Sequence, residues 1–168
     1  MAASAVDVVT SLGTFTIELD SDKAPKSVAN FLDYVDAKHY DNTLFHRVIE
    51  GFMVQGGGYD AAYERRATKP PVQNEADNGL KNVRGSVAMA RTGDPHSATA
   101  QFFVNVVDNK FLDHTAKDQQ GWGYTVFGKV TEGMDVVDKI KAVETGTQGP
   151  FSKDAPKTPV TITTVRRR

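Results

Sequence analysis

A chain of 168 residues with 39% hydrophobic residues suits one domain with a buried core and is too short for two comfortable ones. A net charge of −1 supplies no global field to draw it to nucleic acid or anionic lipid. The absence of cysteine excludes disulfides, thiolate metal sites and a cysteine nucleophile.

The N-terminal residues carry no basic stretch and no long apolar run, and no later stretch approaches a bilayer span. The expectation is a soluble protein of the cytoplasm without membrane partners. Residues 6–10 and 14–19 read as a hairpin, with Phe15, Ile17 and Leu19 alternating with Thr14, Thr16 and Glu18. Pro25 suits the first turn of a helix, where its missing N–H costs nothing. Val28, Phe31, Leu32 and Val35 then fall at i, i+3, i+4 and i+7, which predicts a helix over 25–38. Residues 44–49 and 52–55 read as strands across a tight turn at Glu50-Gly51. Strict alternation puts Phe45 with Arg47 on one face and His46 with Val48 on the other. In the second strand Met53 and Gln55 oppose Phe52 and Val54. An Arg, a Gln, a Met and a Phe can thus share one sheet surface, and Gly56, Gly57 and Gly58 permit close backbone approach beside it.

Residues 60–82 form a polar loop, with Pro70-Pro71 and Asn78-Gly79, of a length that is usually functional or wrapped against the body. Strands are predicted over 83–90 and 102–107, separated by a small polar loop over 92–100. Another loop over 111–123 leads to a strand over 124–130. Met134, Val137 and Ile140 make the apolar side of a short second helix. A last strand over 160–165 follows the breaks at Pro156 and Pro159, and Arg166, Arg167 and Arg168 read as a solvated basic tail. The single domain is expected to span 1–168 with its core over about 6–165. Many short strands and two helices indicate an all-β architecture with closed edges. Strand count and alternation fit a barrel and a sandwich equally well.

Tyr40, Thr43, Phe45-His46-Arg47, Phe52-Met53, Gln55 and Gly56-Gly57 resemble the cyclophilin family of peptidyl-prolyl isomerases. Met89-Ala90-Arg91-Thr92 followed by Gln101-Phe102-Phe103 resembles the same family. So does Phe127-Gly128-Lys129-Val130 through Gly133-Met134-Asp135-Val136-Val137. Ala90-Arg91-Thr92 with Ser97-Ala98-Thr99-Ala100-Gln101 looks like its bacterial branch. The resemblance implies a closed eight-stranded antiparallel barrel capped by two α-helices. It also implies an enzyme that acts on Xaa-Pro peptides and unfolded proteins; nothing in the sequence argues for an oligomer, so a monomer is the default expectation, and bond rotation calls for no cofactor or metal.

Such an enzyme turns a peptide bond past a barrier of about 18–20 kcal/mol. No bond to carbon is made, so neither nucleophile nor proton donor is required. As amide resonance is lost, the proline nitrogen becomes pyramidal and gains a basic lone pair. A fixed donor aimed at that nitrogen stabilises only the twisted state, which is what accelerates a reaction. Lowering the barrier by roughly 7 kcal/mol would bring turnover to about 1,000 per second. By resemblance, Arg47 is the catalytic donor, Gln55 the amide that steadies it and reaches the substrate, and His46 a supporting residue off the Arg face. The implied proline pocket has walls of Phe52, Met53, Phe103 and Leu112, with Phe111 and Tyr124 at its edge. The backbone of Ala90, Arg91 and Thr92 would pair with the peptide, and Gln101 would add a polar contact. Three positions depart from well-known eukaryotic members. Phe111 replaces a Trp and lacks its indole N–H, which implies only weak cyclosporin binding. Arg91 replaces an Asn, and Tyr124 a His.

Other chemistries fit less well. His39, His46, His96 and His114 lack metal-ligand spacing, and no Gly-Lys-Ser/Thr follows the glycine run. Asp94, His96 and Ser97 have triad residue types but crowd one loop without a nucleophile elbow. Phe15, Ile17, Val87, Met89, Phe102 and Val126 are bulky enough to fill a small barrel, which argues against a ligand inside it. The competing class is a module that docks proline segments, or chaperones unfolded chains, without turnover. The presence of both Arg47 and Gln55 favours the enzyme.

Overall fold

The computed structural model describes residues 4–168. In chain order the elements are β1 (Ser4–Thr10), β2 (Gly13–Leu19), α1 (Pro25–Asp36), β3 (Thr43–Leu44), β4 (Arg47–Ile49) and β5 (Met53–Gly56). They continue with β6 (Ser86–Met89), β7 (Phe102–Asn105), β8 (Val126–Glu132), α2 (Met134–Lys141), β9 (Thr145–Gln148), β10 (Phe151–Pro156) and β11 (Thr161–Arg167). Nine strands form one antiparallel sheet in the order β3-β11-β1-β2-β8-β6-β7-β5-β4, and β9 pairs with β10 in a separate hairpin. The outermost strands β3 and β4 are separated in sequence only by Phe45 and His46, so the curled ladder returns on itself. Leu44 spans the seam: its N–H donates to Tyr59 O at 2.9 Å, and its carbonyl accepts from the Gly57 N–H at 3.3 Å. The expected closed eight-stranded barrel is thereby corrected to a strongly curled nine-stranded sheet.

The difference comes from the predicted strand over 44–49, which is cut in two. Because β3 pairs with β11 and β4 with β5, the chain crosses from one end of the sheet to the other at Phe45-His46. The crossing resets the alternation. Phe45 is fully buried in the core while Arg47 is exposed, so the two do not share a face.

The interior is packed with Phe15, Ile17, Val54, Val87, Met89, Phe102 and Phe127. Full burial of one such side chain is worth about 1.5–3 kcal/mol. Helix α1 adds Phe31, whose ring lies 5.3 Å from Tyr40, 5.6 Å from Phe102 and 5.1 Å from Phe127. It stops at Asp36, short of the predicted Lys38, because Lys38 takes φ +58°, which a right-handed helix cannot carry. Val126 does not fill the interior as expected. A register shift between Val87 and Ala88 aligns Ala88 with Val126. Phe127 is left for the core, and Val126 joins a second apolar cluster with Met53, Ala88, Phe103 and Leu112.

Two further corrections concern the C-terminal third. The β9–β10 hairpin was not anticipated, and Pro156 ends β10 where a break was expected. The basic tail is no loose end: β11 runs through Arg167, Arg167 Nη2 lies 2.8 Å from Asp36, and Arg168 Nη1 lies 3.1 Å from Glu132.

Candidate active site

Strand pairing decides what meets on the outer face of the sheet. Arg47 faces Gln55 across β4–β5, Gln55 faces Phe103 across β5–β7, and Phe103 faces Ala88 across β7–β6. Side chains on this row point the same way, opposite Val48, Val54, Val104 and Val87 in the interior. The outer apolar cluster therefore lies directly beneath the Arg47 guanidinium and the Gln55 amide.

A cavity of about 170 Å³ opens there, lined by Arg47, Phe52, Met53, Gln55, Ala90, Arg91, Phe103, Leu112 and Tyr124. Its floor is dry: Met53 is 1% exposed, Phe103 4% and Leu112 6%. Arg47 stands at the rim, its Cζ 5.9 Å from the centre of the Phe52 ring. Arg47 Nη1 donates to Gln55 Oε1 at 3.4 Å, and Gln55 Nε2 donates to Gln101 Oε1 at 2.9 Å. That relay orients both amides. Gly58 makes room for it, since a Cβ there would collide with the Gln101 amide. The run of glycines thus has a concrete reason at Gly58.

Arg91 packs its guanidinium 4.3 Å from the centre of the Tyr124 ring and donates from Nε to Gly123 O at 3.0 Å and from Nη1 to Thr92 O at 2.8 Å. Tyr124 in turn meets the Phe103 ring edge-on at 5.8 Å. Thr92 and Gln101 line a second cavity of about 200 Å³, which shares Gln55, Ala90 and Arg91 with the first. Phe111 lines neither cavity. It sits outside Phe52, ring centres 5.6 Å apart.

His46 is turned away from this face. Its ring stacks on Phe151 at 5.1 Å and packs against Tyr59 at 4.7 Å, and its Nδ1 is buried without a hydrogen-bond partner. Burial, aided by the neighbouring Arg47 charge, pulls its pKa from 6.5 down to about 4. The imidazole is neutral at pH 7 and outside the pocket.

The sequence reading missed two sets of residues around the site. Tyr59 and Arg65 line the second cavity, carried there by the loop after β5, where Tyr59 bridges Arg65. Asn82, Asn105 and Asn109 form a buried amide network behind the first cavity. Asn82 Nδ2 donates to Leu112 O and Tyr124 O, and Asn109 Nδ2 to Phe52 O. Most of the amide partnerships join segments distant in the chain, such as Asn109 with Phe52 and Asn82 with Tyr124, so no local pattern announces them.

Comparison with known proteins agrees with this geometry. The family described as cyclophilin type peptidyl-prolyl cis-trans isomerase/CLD matches residues 5–167. A peptidyl-prolyl cis-trans isomerase cyp18 of Streptomyces antibioticus is 58% identical over 159 residues, covering 95% of each chain. Peptidyl-prolyl cis-trans isomerase B of Escherichia coli (strain K12) is 58% identical over 156 residues, covering 93% of this chain and 94% of that one. A cyclophilin type isomerase of Cryptosporidium parvum superposes with a TM-score of 0.78 at 24% identity, over 99% of this chain and 98% of its own, and shares the fold. With its sheet, its outer-face cleft and a family match along nearly its whole length, the chain belongs to the cyclophilin-type peptidyl-prolyl cis-trans isomerases.

Proposed function

We propose that this chain accelerates rotation about Xaa-Pro bonds with Arg47 as the donor to the twisting nitrogen. The observation that carries the reading is that Arg47 has no carboxylate partner among the described residues. It is held instead by a neutral amide beside a dry pocket. A guanidinium is always charged and rigidly forked, and without an internal counter-ion its field remains available to the substrate. The pyrrolidine ring occupies the hollow between Phe52, Met53, Phe103 and Leu112, which fixes one side of the bond. Ala90 N–H is taken by Gln101 O and Thr92 N–H by Ser97 Oγ. The backbone N–H of Arg91 is left to pair with an extended peptide that holds the other side. Gln55 and Gln101 reach the same backbone. His46 acts from behind the sheet, by packing next to Arg47.

One donor realised only in the twisted state is worth roughly 3–4 kcal/mol in a water-poor site. Clamping of the flanking segments and exclusion of water account for the remainder. The substrates on this reading are Xaa-Pro segments of unfolded or flexible chains. The crystal structure of the Cryptosporidium parvum isomerase in the presence of the dipeptide Ala-Pro fits that class. A cytoplasmic location, a monomeric state and weak cyclosporin binding go with it. The monomer is supported by Leu12, Val83 and Phe111, the exposed large apolar side chains among the described residues, lying on three separate segments.

The test is a proline-limited refolding assay. The protein speeds the slow phase, and Arg47→Ala lowers turnover by about 10²–10³-fold while peptide binding, followed by NMR titration, persists. A slow phase unchanged by the wild-type protein would end the reading. A variant that loses binding and turnover together would remove Arg47 from the chemistry.

A further inference from the structure

The two cavities on the outer face meet at a shared wall of Gln55, Ala90 and Arg91. No Asp or Glu lines either one. Three guanidinium groups surround the pair: Arg47 on the proline side, Arg65 on the far side and Arg91 between them. None has an ion-pair partner among the described residues; away from the cleft Arg84, Arg166, Arg167 and Arg168 are paired with acids, and Arg66 donates to His39 O. The chain as a whole carries a net charge of −1, so this positive character is local to the cleft.

Of the two arginines of the second cavity, Arg91 has its guanidinium fixed and Arg65 its backbone. Arg91 is fixed by the Tyr124 ring and two carbonyls, and no protein acceptor takes its second terminal nitrogen. Arg65 is anchored through its backbone by the bridge to Tyr59 and the Asp60 N–H to Glu64 O bond. Two acids of the flanking loops are engaged by backbone donors. Asp60 accepts from the backbone N–H groups of Ala62 and Glu64, and Asp94 from that of His96. Thr92, Ser97 and Thr99 add hydroxyls to the same cavity.

Resting on the isomerase reading above, we infer that the cleft selects Xaa-Pro segments carrying an acidic side chain two residues from the proline. In an extended peptide, residues two apart point the same way about 7 Å apart. A proline seated in the first cavity therefore directs the side chain two positions along into the second. A carboxylate arriving there meets Arg65 and Arg91 with the Thr99 hydroxyl beside them, while the hydroxyls of Thr92 and Ser97 already donate to Ser97 Oγ and Asp94 O. Charge-assisted bonds of this kind are stronger than neutral ones, and a lysine at the same place meets like charge.

The experiment uses short peptides with Glu, Ala or Lys either two residues before or two after a central Ala-Pro. Turnover is read by NMR exchange at low salt, with the all-alanine peptide as reference. The expected result is a Glu over Lys preference in kcat/KM on the order of tenfold at one of the two positions. It shrinks at 0.5 M salt, where screening shortens the reach of exposed charge, and it reverses in Arg65→Glu. Failure of the alanine peptide to turn over would overturn the isomerase reading itself. Turnover of alanine with Glu and Lys within twofold at both positions would overturn this inference alone. A preference unmoved by Arg65→Glu would overturn its assignment to the second cavity.

Discussion

At 74% exposure Phe111 is an unusual place for a phenyl ring, and it lies just outside the first cavity against Phe52, at the rim of the proposed proline site. A phenyl ring offers area and no donor, whereas an indole offers both. A ligand carbonyl reaching this rim in the chain as it stands goes unpaired. Phe111→Trp is therefore expected to tighten cyclosporin binding by about tenfold, the worth of one net hydrogen bond, as measured by titration calorimetry. Equal affinities would show that the missing donor is not what limits binding. Much of the site was legible at this scale. Arg47, Gln55, Met53 and Phe103 share one face because period-2 alternation holds within β4, β5 and β7. It failed for Phe45, one residue outside β4, where the chain crosses between sheet ends. Alternation describes a strand and says nothing of where the strand is cut.

At the level of elements, Met53 and Phe103 stand on β5 and β7, whereas Phe52, Leu112 and Tyr124 belong to segments with little regular structure: the turn before β5, the short turn Lys110–Leu112 and the run into β8. The asparagine network ties them together. Asn109 Nδ2 donates to Asn105 Oδ1 at 2.8 Å, and Asn105 Nδ2 donates to Asn82 Oδ1 at 3.1 Å and Ser86 Oγ at 2.9 Å. Asn105→Ala would leave Asn82 Oδ1 and one Asn109 N–H buried without partners, at about 1–3 kcal/mol for each group. Because the same network holds the carbonyls of Phe52, Leu112 and Tyr124, the walls loosen together. We expect a lower denaturation midpoint in urea and, at temperatures where the variant stays folded, a fall in kcat on peptides. A variant destabilised to this extent with unaltered kcat would make the network purely structural. Such an arrangement is illegible in sequence, since asparagines at 82, 105 and 109 show no periodicity. The β9–β10 hairpin escaped for a related reason. Thr145, Gly146, Thr147 and Gln148 present no apolar alternation, and the hairpin is placed by Phe151 packing on His46 and Tyr59.

On the scale of the whole molecule, the all-β class followed from many short strands, while closure depended on which strands end the sheet. Those are β3 and β4, and His46 sits in the crossing between them, under the β9–β10 hairpin. Protonating it places a cation without a partner in a buried stack beside Arg47, a cost that falls on the seam of the fold. The folded pKa of about 4 lies below the ordinary 6.5, so the unfolded chain binds the proton first as pH falls. The stability His46 allows is complete above pH 6.5 and is lost progressively down to about 4, amounting to about 3 kcal/mol. His39, half-buried and also pulled down chiefly by burial, acts in the same direction. Asp36 and Asp138, held below the usual carboxylate range first by hydrogen bonds from Arg167 and Arg84, titrate below this window. The melting temperature of the wild type is therefore expected to drop by roughly 6–12 °C between pH 7 and pH 4. His46→Phe, which keeps an aromatic ring between Tyr59 and Phe151 and carries no proton, should lose most of that slope while retaining the acid response of His39. Thermal melts across this range decide it. A full slope in His46→Phe would place the acid sensitivity elsewhere in the fold.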